Sequence, residues 1–370
     1  SSAASDVYKR QGTLGGQSPC DFPPRQHITM TFSSLLRLRS SSPSRIGLGM
    51  RWLLAAALGC AATVAQAAGF AFIEVPADKD GPALRGAVWS PCSTPPGRID
   101  LAPLVLQGTR DCPVAGQGLP LVVVSHGAGG SALGHHDTAA TLADAGYVVA
   151  AINHPGDNFQ DMSRQGHLSA FATRPVDMRR LTDYMLGTWP QRAQLDADKV
   201  GFFGYSRGGY TGLVAIGAKP DWTLRPDLCP PLSMRPLCGE IRRNEIPATP
   251  APDPRIRAAV IVDPLSVFDA KGLGQVSTPV QLWASALGGD GVTPQSVEVV
   301  RNGLPRAPEW QVAAHARHYA FLAPCSPALA EVAPDICRDA PGFDRAAFHQ
   351  GFNGQVVAFF QRHIAVAKAP

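Results

Sequence analysis

A chain of 370 residues with 45% hydrophobic and 17% charged residues has a globular composition and is long enough for one large core. Its formal charge of +4 says little about partners, because residues 1–67 hold seven Lys/Arg against two acids, a net of +5, which leaves the rest close to −1. The charge thus makes no case for a nucleic-acid partner, and no internal repeat is visible.

Residues 1–49, rich in Ser, Arg, Gly and Pro and without apolar periodicity, read as a disordered or non-native leader. From Met50 a basic start, a short apolar core and Ala65-Gln66-Ala67 follow in the order of a secretory signal peptide, spanning 50–67 and cleaved near Ala67. Two rivals are an uncleaved anchor over Trp52 to Ile73, weakened by its Ala, Gly, Thr and Gln content, and a lipid-modified Cys60. The expectation is a secreted or periplasmic protein without stable membrane insertion, its residues 68–370 forming a single domain. Beyond the leader the cysteines fall into three close-set pairs, Cys92 with Cys112, Cys229 with Cys238 and Cys325 with Cys337. In an exported chain these read as disulfides, although spacing alone selects no connectivity. No C-x-x-C occurs and no histidine stands at ligand spacing beside a pair, which argues against zinc.

Phe70 to Val75 and Ala83 to Val88 are predicted opening strands, an antiparallel edge, followed by a Pro/Gly/Cys-rich excursion from Pro91 to Gly118. Leu121 to Ser125 is a β-branched run of the kind buried on both faces of a sheet. His136 to Ala145 reads as a helix, Tyr147 to Ile152 as a buried strand, and Pro175 as the start of a helix over Val176 to Leu186. Lys199 to Gly204 is the next strand and Tyr210 to Ala218 its helix. Strands at Ala258 to Val262, Pro279 to Ala284 and Glu309 to Ala313 follow, then an amphipathic helix from Phe343 to Ala365. Strands separated by helices make a mostly parallel, doubly wound α/β sheet, with its active centre at the strand C-termini. The Pro/Arg/Cys-rich stretch 219–255 interrupts the rhythm and reads as a cap-like insertion or as a stapled surface loop.

The chain is organised around Gly204-Tyr205-Ser206-Arg207-Gly208-Gly209, a Gly-x-Ser-x-Gly at a strand-to-helix turn. That is the nucleophile elbow of the α/β-hydrolase fold, in which the serine sits on a strained turn above the sheet. A serine hydroxyl is a poor nucleophile at neutral pH and needs a base oriented by a carboxylate. In this fold the base comes late, and His318 just after the last strand fits; the nearby His315 reads as a structural histidine, and His349 and His363 as solvated residues of the final helix. Two acids remain open, Asp263 at the end of one strand and Asp290 in the glycine-rich turn after the next. A carboxylate at the mouth of an apolar strand needs a partner, which favours Asp263.

Ser125-His126-Gly127-Ala128-Gly129-Gly130 follows a central strand and can turn backbone N–H groups toward a developing oxyanion, Ala128 and Arg207 being the expected donors. A phosphate cradle would need G-x-G-x-x-G with a distal acid, or a Walker lysine, and neither is present. His126, Gly127, His154 and Tyr205 are the candidate substrate-binding residues.

The Ser125-His126-Gly127 and His154-Pro155-Gly156 loops, the elbow, His318 to Cys325 and Gly342 to His349 together resemble the exported bacterial α/β-hydrolases of the dienelactone hydrolase type. These in turn resemble platelet-activating-factor acetylhydrolases. The resemblance implies an esterase or lipase-like carboxylic ester hydrolase without cofactor, acting on a small or lipid-like ester. For the acid it points both ways, acetylhydrolases favouring Asp263 and other relatives Asp290. The chain departs from true dienelactone hydrolases, whose nucleophile is a cysteine, by carrying Ser206. The other readings are a serine peptidase or amidase and a catalytically silent hydrolase fold used as a binding module.

Overall fold

The computed structural model describes residues 67–366; the expected leader and all but the last residue of the expected signal peptide lie outside the described residues. Ten strands make one sheet: β1 (Ala67–Val75), β2 (Leu84–Cys92), β3 (Gly97–Leu101), β4 (Leu104–Arg110), β5 (Leu119–Ser125), β6 (Val148–Ile152), β7 (Leu195–Tyr205), β8 (Ile256–Val262), β9 (Val280–Ser285) and β10 (Glu309–Ala313). Their spatial order is β10-β9-β8-β7-β5-β6-β2-β1-β4-β3. The six strands from β10 to β6 run parallel, and β2 pairs antiparallel with both β6 and β1. The chain therefore reverses direction along the sheet on either side of β5, where α/β sheets open their crevice.

β5 and β7 are central because both faces of each are apolar. Leu121 and Val123 of β5 and Phe202 of β7 enter one core, whereas Val122, Val124 and Phe203 enter the other. The longer helices are α1 (His136–Asp144), α2 (Leu168–Gly187), α3 (Arg207–Ala215), α4 (Pro294–Gly303) and α5 (Arg345–His363). Buried residues of α2, α3 and α4 fill the first core, and those of α1 and α5 the second. The period-2 side-chain alternation of a strand thus feeds two helical layers at once.

Several sequence expectations are corrected. β1 and β2 are not the sheet edge, because the 91–118 excursion itself contributes the β3–β4 hairpin that lies outside them. Pro175 does not start a helix: α2 begins a full two turns earlier, since Leu168 and Phe171 extend its apolar face into the core. The proline removes one backbone donor, a local cost that this burial outweighs. The elbow helix begins at Arg207 rather than Tyr210. Helix α4 was not anticipated, although Thr293-Pro294-Gln295-Ser296 carries its signature: Thr293 and Ser296 form a reciprocal cap and Pro294 takes the first turn. The 219–255 insertion holds short helices at Trp222–Leu224, Pro226–Leu228 and Pro236–Arg242.

The three cysteine pairs are bonded as Cys92–Cys112, Cys229–Cys238 and Cys325–Cys337. Among the described residues no helix is long and apolar enough to cross a membrane.

Candidate active site

β7 delivers Ser206 to the top of the sheet. The residue takes φ 56° and ψ −118°, a conformation that side chains other than glycine rarely adopt. Two neighbours make the turn possible. A Cβ on Gly204 would lie 2.2 Å from the carbonyl oxygen of Gly208, and one on Gly208 would lie 1.9 Å from that of Ser125. The elbow is thus held by packing that only glycine permits, and the Ser206 N–H is fastened to Val262 of β8 at 2.9 Å.

His318 stands five residues beyond β10, with Nε2 2.9 Å from Ser206 Oγ and Nδ1 2.6 Å from Asp263 Oδ2. All three side chains are at most 5% exposed. The buried Asp263 carboxylate is compensated further, since Ser285 donates its N–H to Oδ1 at 2.9 Å and its hydroxyl to Oδ2 at 2.6 Å. The His318 ring is stacked on Tyr205 at 4.8 Å, and the Tyr205 hydroxyl donates to the His318 carbonyl at 3.0 Å. Such a chain can accept the serine proton at Nε2 while the carboxylate holds the proton on Nδ1.

Asp290 is not part of this chain. It is exposed at φ 49° in the Gly288–Gly291 turn, and both ring nitrogens of His318 are already engaged by Ser206 and Asp263. Its turn acts on the histidine through the backbone: the Gly288 carbonyl accepts the His318 N–H at 3.0 Å. His315 is exposed at φ 58°, not a satisfied core histidine. His349 is buried rather than solvated, with Nδ1 2.6 Å from Asp137 and Nε2 2.9 Å from the carbonyl of Ala320, which ties α5 to α1 and to the turn that follows His318. His363 is half-buried against Phe359.

The loop 126–130 faces the elbow. A Cβ on Gly127 would come within 3.3 Å of the Ser206 Cβ, so the loop backbone passes directly beside the nucleophile. Among the described residues the N–H groups of Ala128 and Arg207 have no hydrogen-bond acceptor. Tyr205, His126 and His154 are each at most 2% exposed and are taken up by the protein, where the sequence suggested substrate contacts. His126 lies with Nδ1 2.7 Å from the Gly127 carbonyl and accepts the His154 N–H at Nε2. Burial, seconded by the nearby Arg174 charge, pushes its pKa down to about 3. His154 joins Ser125 Oγ at 2.9 Å to Asp177 at 3.0 Å. This second Ser–His–Asp chain is inside the core, so it braces β5 instead of meeting a substrate. Burial drives His154 well below the ordinary histidine range and raises the Asp177 carboxyl to about 7.

Asp157 stands in the loop Asn153 to Asn158, which the sequence reads as pocket lining and loop bracing or as plain turn chemistry, whereas Ser285 and Arg174 are residues that sequence reasoning missed. Nothing in their spacing marks them, since each acts through a partner far away in the chain. Among the described residues no group of three or more His, Cys, Asp or Glu is placed to hold a metal ion.

The family described as serine aminopeptidase, S33 (Hydrolase_4) matches residues 117–227, a stretch that includes the 126–130 loop and the Ser206 elbow but neither Asp263 nor His318. No curated protein matches the chain significantly. Among solved structures, a ferulic acid esterase from Streptomyces cinnamoneus is similar at a TM-score of 0.55 and 19% identity, over 84% of this chain and 93% of that one. A mostly parallel sheet flanked by helices on both faces, an elbow after a central strand and this likeness together establish that the chain has the α/β-hydrolase fold.

Proposed function

We propose that the protein is a serine hydrolase of carboxylic esters that works through an acyl-enzyme. The observation that carries this reading is the continuous hydrogen-bonded chain Ser206–His318–Asp263, with Ser206 on the strained elbow. Ser206 Oγ bonds to the ester carbonyl carbon as its proton passes to His318 Nε2, and the carbonyl π pair moves onto oxygen. The N–H groups of Ala128 and Arg207 receive that oxyanion. Collapse breaks the bond to the alcohol, which leaves with the proton from His318. Water, deprotonated by His318, then releases the acid by the reverse sequence, and Asp263 keeps the imidazole oriented throughout. No cofactor enters this scheme.

The insertion 219–255 serves as a cap in this reading. Arg225 reaches from it to the carbonyls of Ser266 and Gly291, and Glu240 accepts from the N–H of Leu168 and pairs with His167. It thereby bridges the loops that follow β6, β8 and β9. Leu232 and Met234, both more than 90% exposed on its Cys229–Cys238 loop, favour an apolar acyl or alcohol group. The signal-peptide character of 50–67 and the three disulfides support export to an oxidising compartment.

Ser206→Ala should abolish hydrolysis of p-nitrophenyl butyrate and labelling by a fluorophosphonate while leaving the thermal midpoint unchanged; retained turnover defeats the assignment. A silent binding module would not label in the parent protein either. The match to an aminopeptidase family keeps amide hydrolysis as the second reading. Comparing an aminoacyl p-nitroanilide with the p-nitrophenyl ester separates the two.

A further inference from the structure

A buried ionic cluster under the 126–130 loop has no part in the Ser206–His318–Asp263 chain. Its centre is Asp157, fully buried in the loop after β6. Asp157 Oδ1 accepts the backbone N–H of Gly129 at 3.2 Å. Its Oδ2 accepts from Nη1 of Arg174 at 2.5 Å and from Nη1 of Arg207 at 2.9 Å. Arg174, itself 1% exposed, also donates Nη2 to the carbonyl of His126. Arg207 donates in addition to the carbonyl of Gln165 at 3.1 Å and lies over the Phe171 ring at 4.4 Å.

The two expected oxyanion donors belong to different segments. Ala128 sits on a loop whose glycines at 127, 129 and 130 give it a wide choice of backbone conformations, and Gly129 takes φ 60°. Arg207 is the first residue of α3. An oxyanion hole works only if both N–H groups are fixed before the charge develops. Here the chain is held on both sides of Ala128: the Gly129 N–H, in the peptide that follows it, by Asp157, and the His126 carbonyl, one peptide before the unit that carries the Ala128 N–H, by Arg174. The same carboxylate holds the Arg207 side chain.

We propose that Asp157 is a positioning residue that fixes both halves of the oxyanion hole from one carboxylate, the Ala128 half through Gly129 and Arg174 and the elbow half through Arg207. The inference rests on the ester-hydrolase reading. Asp157 touches no substrate and carries no proton in the reaction. Burial alone would raise its pKa, but the Arg174 and Arg207 charges outweigh burial and hold it below the ordinary range, so the anchor stays charged at working pH.

Arg207→Met is the decisive variant, because it keeps the backbone N–H and removes only the arm, whose side chain is 12% exposed. On p-nitrophenyl butyrate its kcat should fall about tenfold to a hundredfold, the scale of a small misplacement of catalytic groups. KM should stay within about twofold, and Ki for phenylboronic acid, which forms a tetrahedral adduct on the serine, should rise by the same factor as kcat falls. Arg207→Lys should recover most of both losses. Asp157→Asn should move kcat and Ki the same way; should it not fold, Arg207→Met carries the test by itself. A kcat within twofold of the parent in Arg207→Met overturns the proposal, as does a lower kcat with unchanged boronate affinity. Those results leave a dead Ser206→Ala in place, whereas turnover retained by Ser206→Ala removes the hydrolase reading and this inference together.

Discussion

Ser285 grips Asp263 twice, with its backbone N–H on Oδ1 and its hydroxyl on Oδ2, the oxygen that also faces His318 Nδ1. The carboxylate of a fully buried residue is thereby saturated by donors from β9 and from the loop after β10. Desolvating it without such partners would cost several kcal/mol. In the proposed mechanism this arrangement assigns the orienting role to Asp263 rather than to Asp290. Asp263→Asn should lower kcat by about 10³ to 10⁴, the scale of a wrongly held imidazole tautomer. Ser285→Ala should cost about tenfold, as one charge-assisted hydrogen bond of roughly 1.5 kcal/mol is lost. Asp290→Asn should stay within twofold. Initial rates on p-nitrophenyl butyrate rank the three, and a dead Asp290→Asn beside an active Asp263→Asn reverses the roles.

What could be read from residues alone follows the range over which each signal acts. The elbow is local, so Gly204, Ser206 and Gly208 state their geometry within five positions. β5, β6 and the greater part of β8 were legible because runs rich in Val, Ile and Ala, buried on both faces, leave an unbroken apolar string. The acid was not decidable, since Asp263 and Asp290 both follow a strand and differ only in what Ser285 and Gly288 do across the sheet. The same limit hid Arg174, whose partners lie 17 and 48 positions away. His154 misled for the opposite reason. It occupies a loop at the active-site end of the sheet, but its ring turns inward to Ser125 and Asp177.

The elbow glycines and those of the last helix make a controlled contrast. A methyl at Gly208 meets backbone oxygens of Ser125 at 1.9 Å and His126 at 2.9 Å, neither of which can swing aside. Gly208→Ala should therefore give little soluble protein, or an inactive protein with a markedly lower melting point. Gly354 is exposed within α5 and has nothing within 4 Å of an added methyl. Gly354→Ala should raise stability by about 0.5–1 kcal/mol, the helix propensity difference, with kcat unchanged. Thermal melts and activity of the two variants test both halves; a tolerated Gly208→Ala would mean that the elbow is looser than its contacts state.

The Cys229–Cys238 disulfide closes a short loop in the middle of the insertion, with Leu232 and Met234 between its cysteines. A loop of this size contributes about 2–3 kcal/mol on chain-entropy grounds, and the restraint falls on the insertion rather than on the sheet. Replacing both cysteines by serine should lower the melting point modestly and change the preference among p-nitrophenyl acetate, butyrate, octanoate and palmitate, mostly through KM. Ser206 labelling by a fluorophosphonate should persist. An unchanged chain-length profile would make the insertion a surface decoration and not a cap.

Four histidines whose pKa is lowered in the fold set its acid limit. Burial is the leading cause in each: it lowers His126 to about 3 and His135 to about 4, places His136 below its usual value and takes His154 far below it. In the unfolded chain all four titrate near 6.5, so between pH 6.5 and pH 4 the unfolded state binds protons that the folded state refuses. Stability from these groups is complete above pH 6.5 and is lost as pH falls. Asp177 opposes them. Burial raises it to about 7, so it is protonated in the fold and ionised in the unfolded chain, and its contribution is lost as pH rises toward 7. His126, His135 and His154 set against Asp177 leave about two protons in favour of the unfolded state near pH 5, a slope of roughly 3 kcal/mol per pH unit. Melting temperature and urea midpoint should both drop steeply between pH 6.5 and pH 5. His135 lies against Phe203 and Tyr205 at ring distances of 5.1 and 5.2 Å, so His135→Phe keeps an aromatic ring there while removing one titrating group. The slope near pH 5 should flatten by about one proton, roughly 1.4 kcal/mol per pH unit. An unchanged slope in that variant would show that His135 takes up its proton without unfolding.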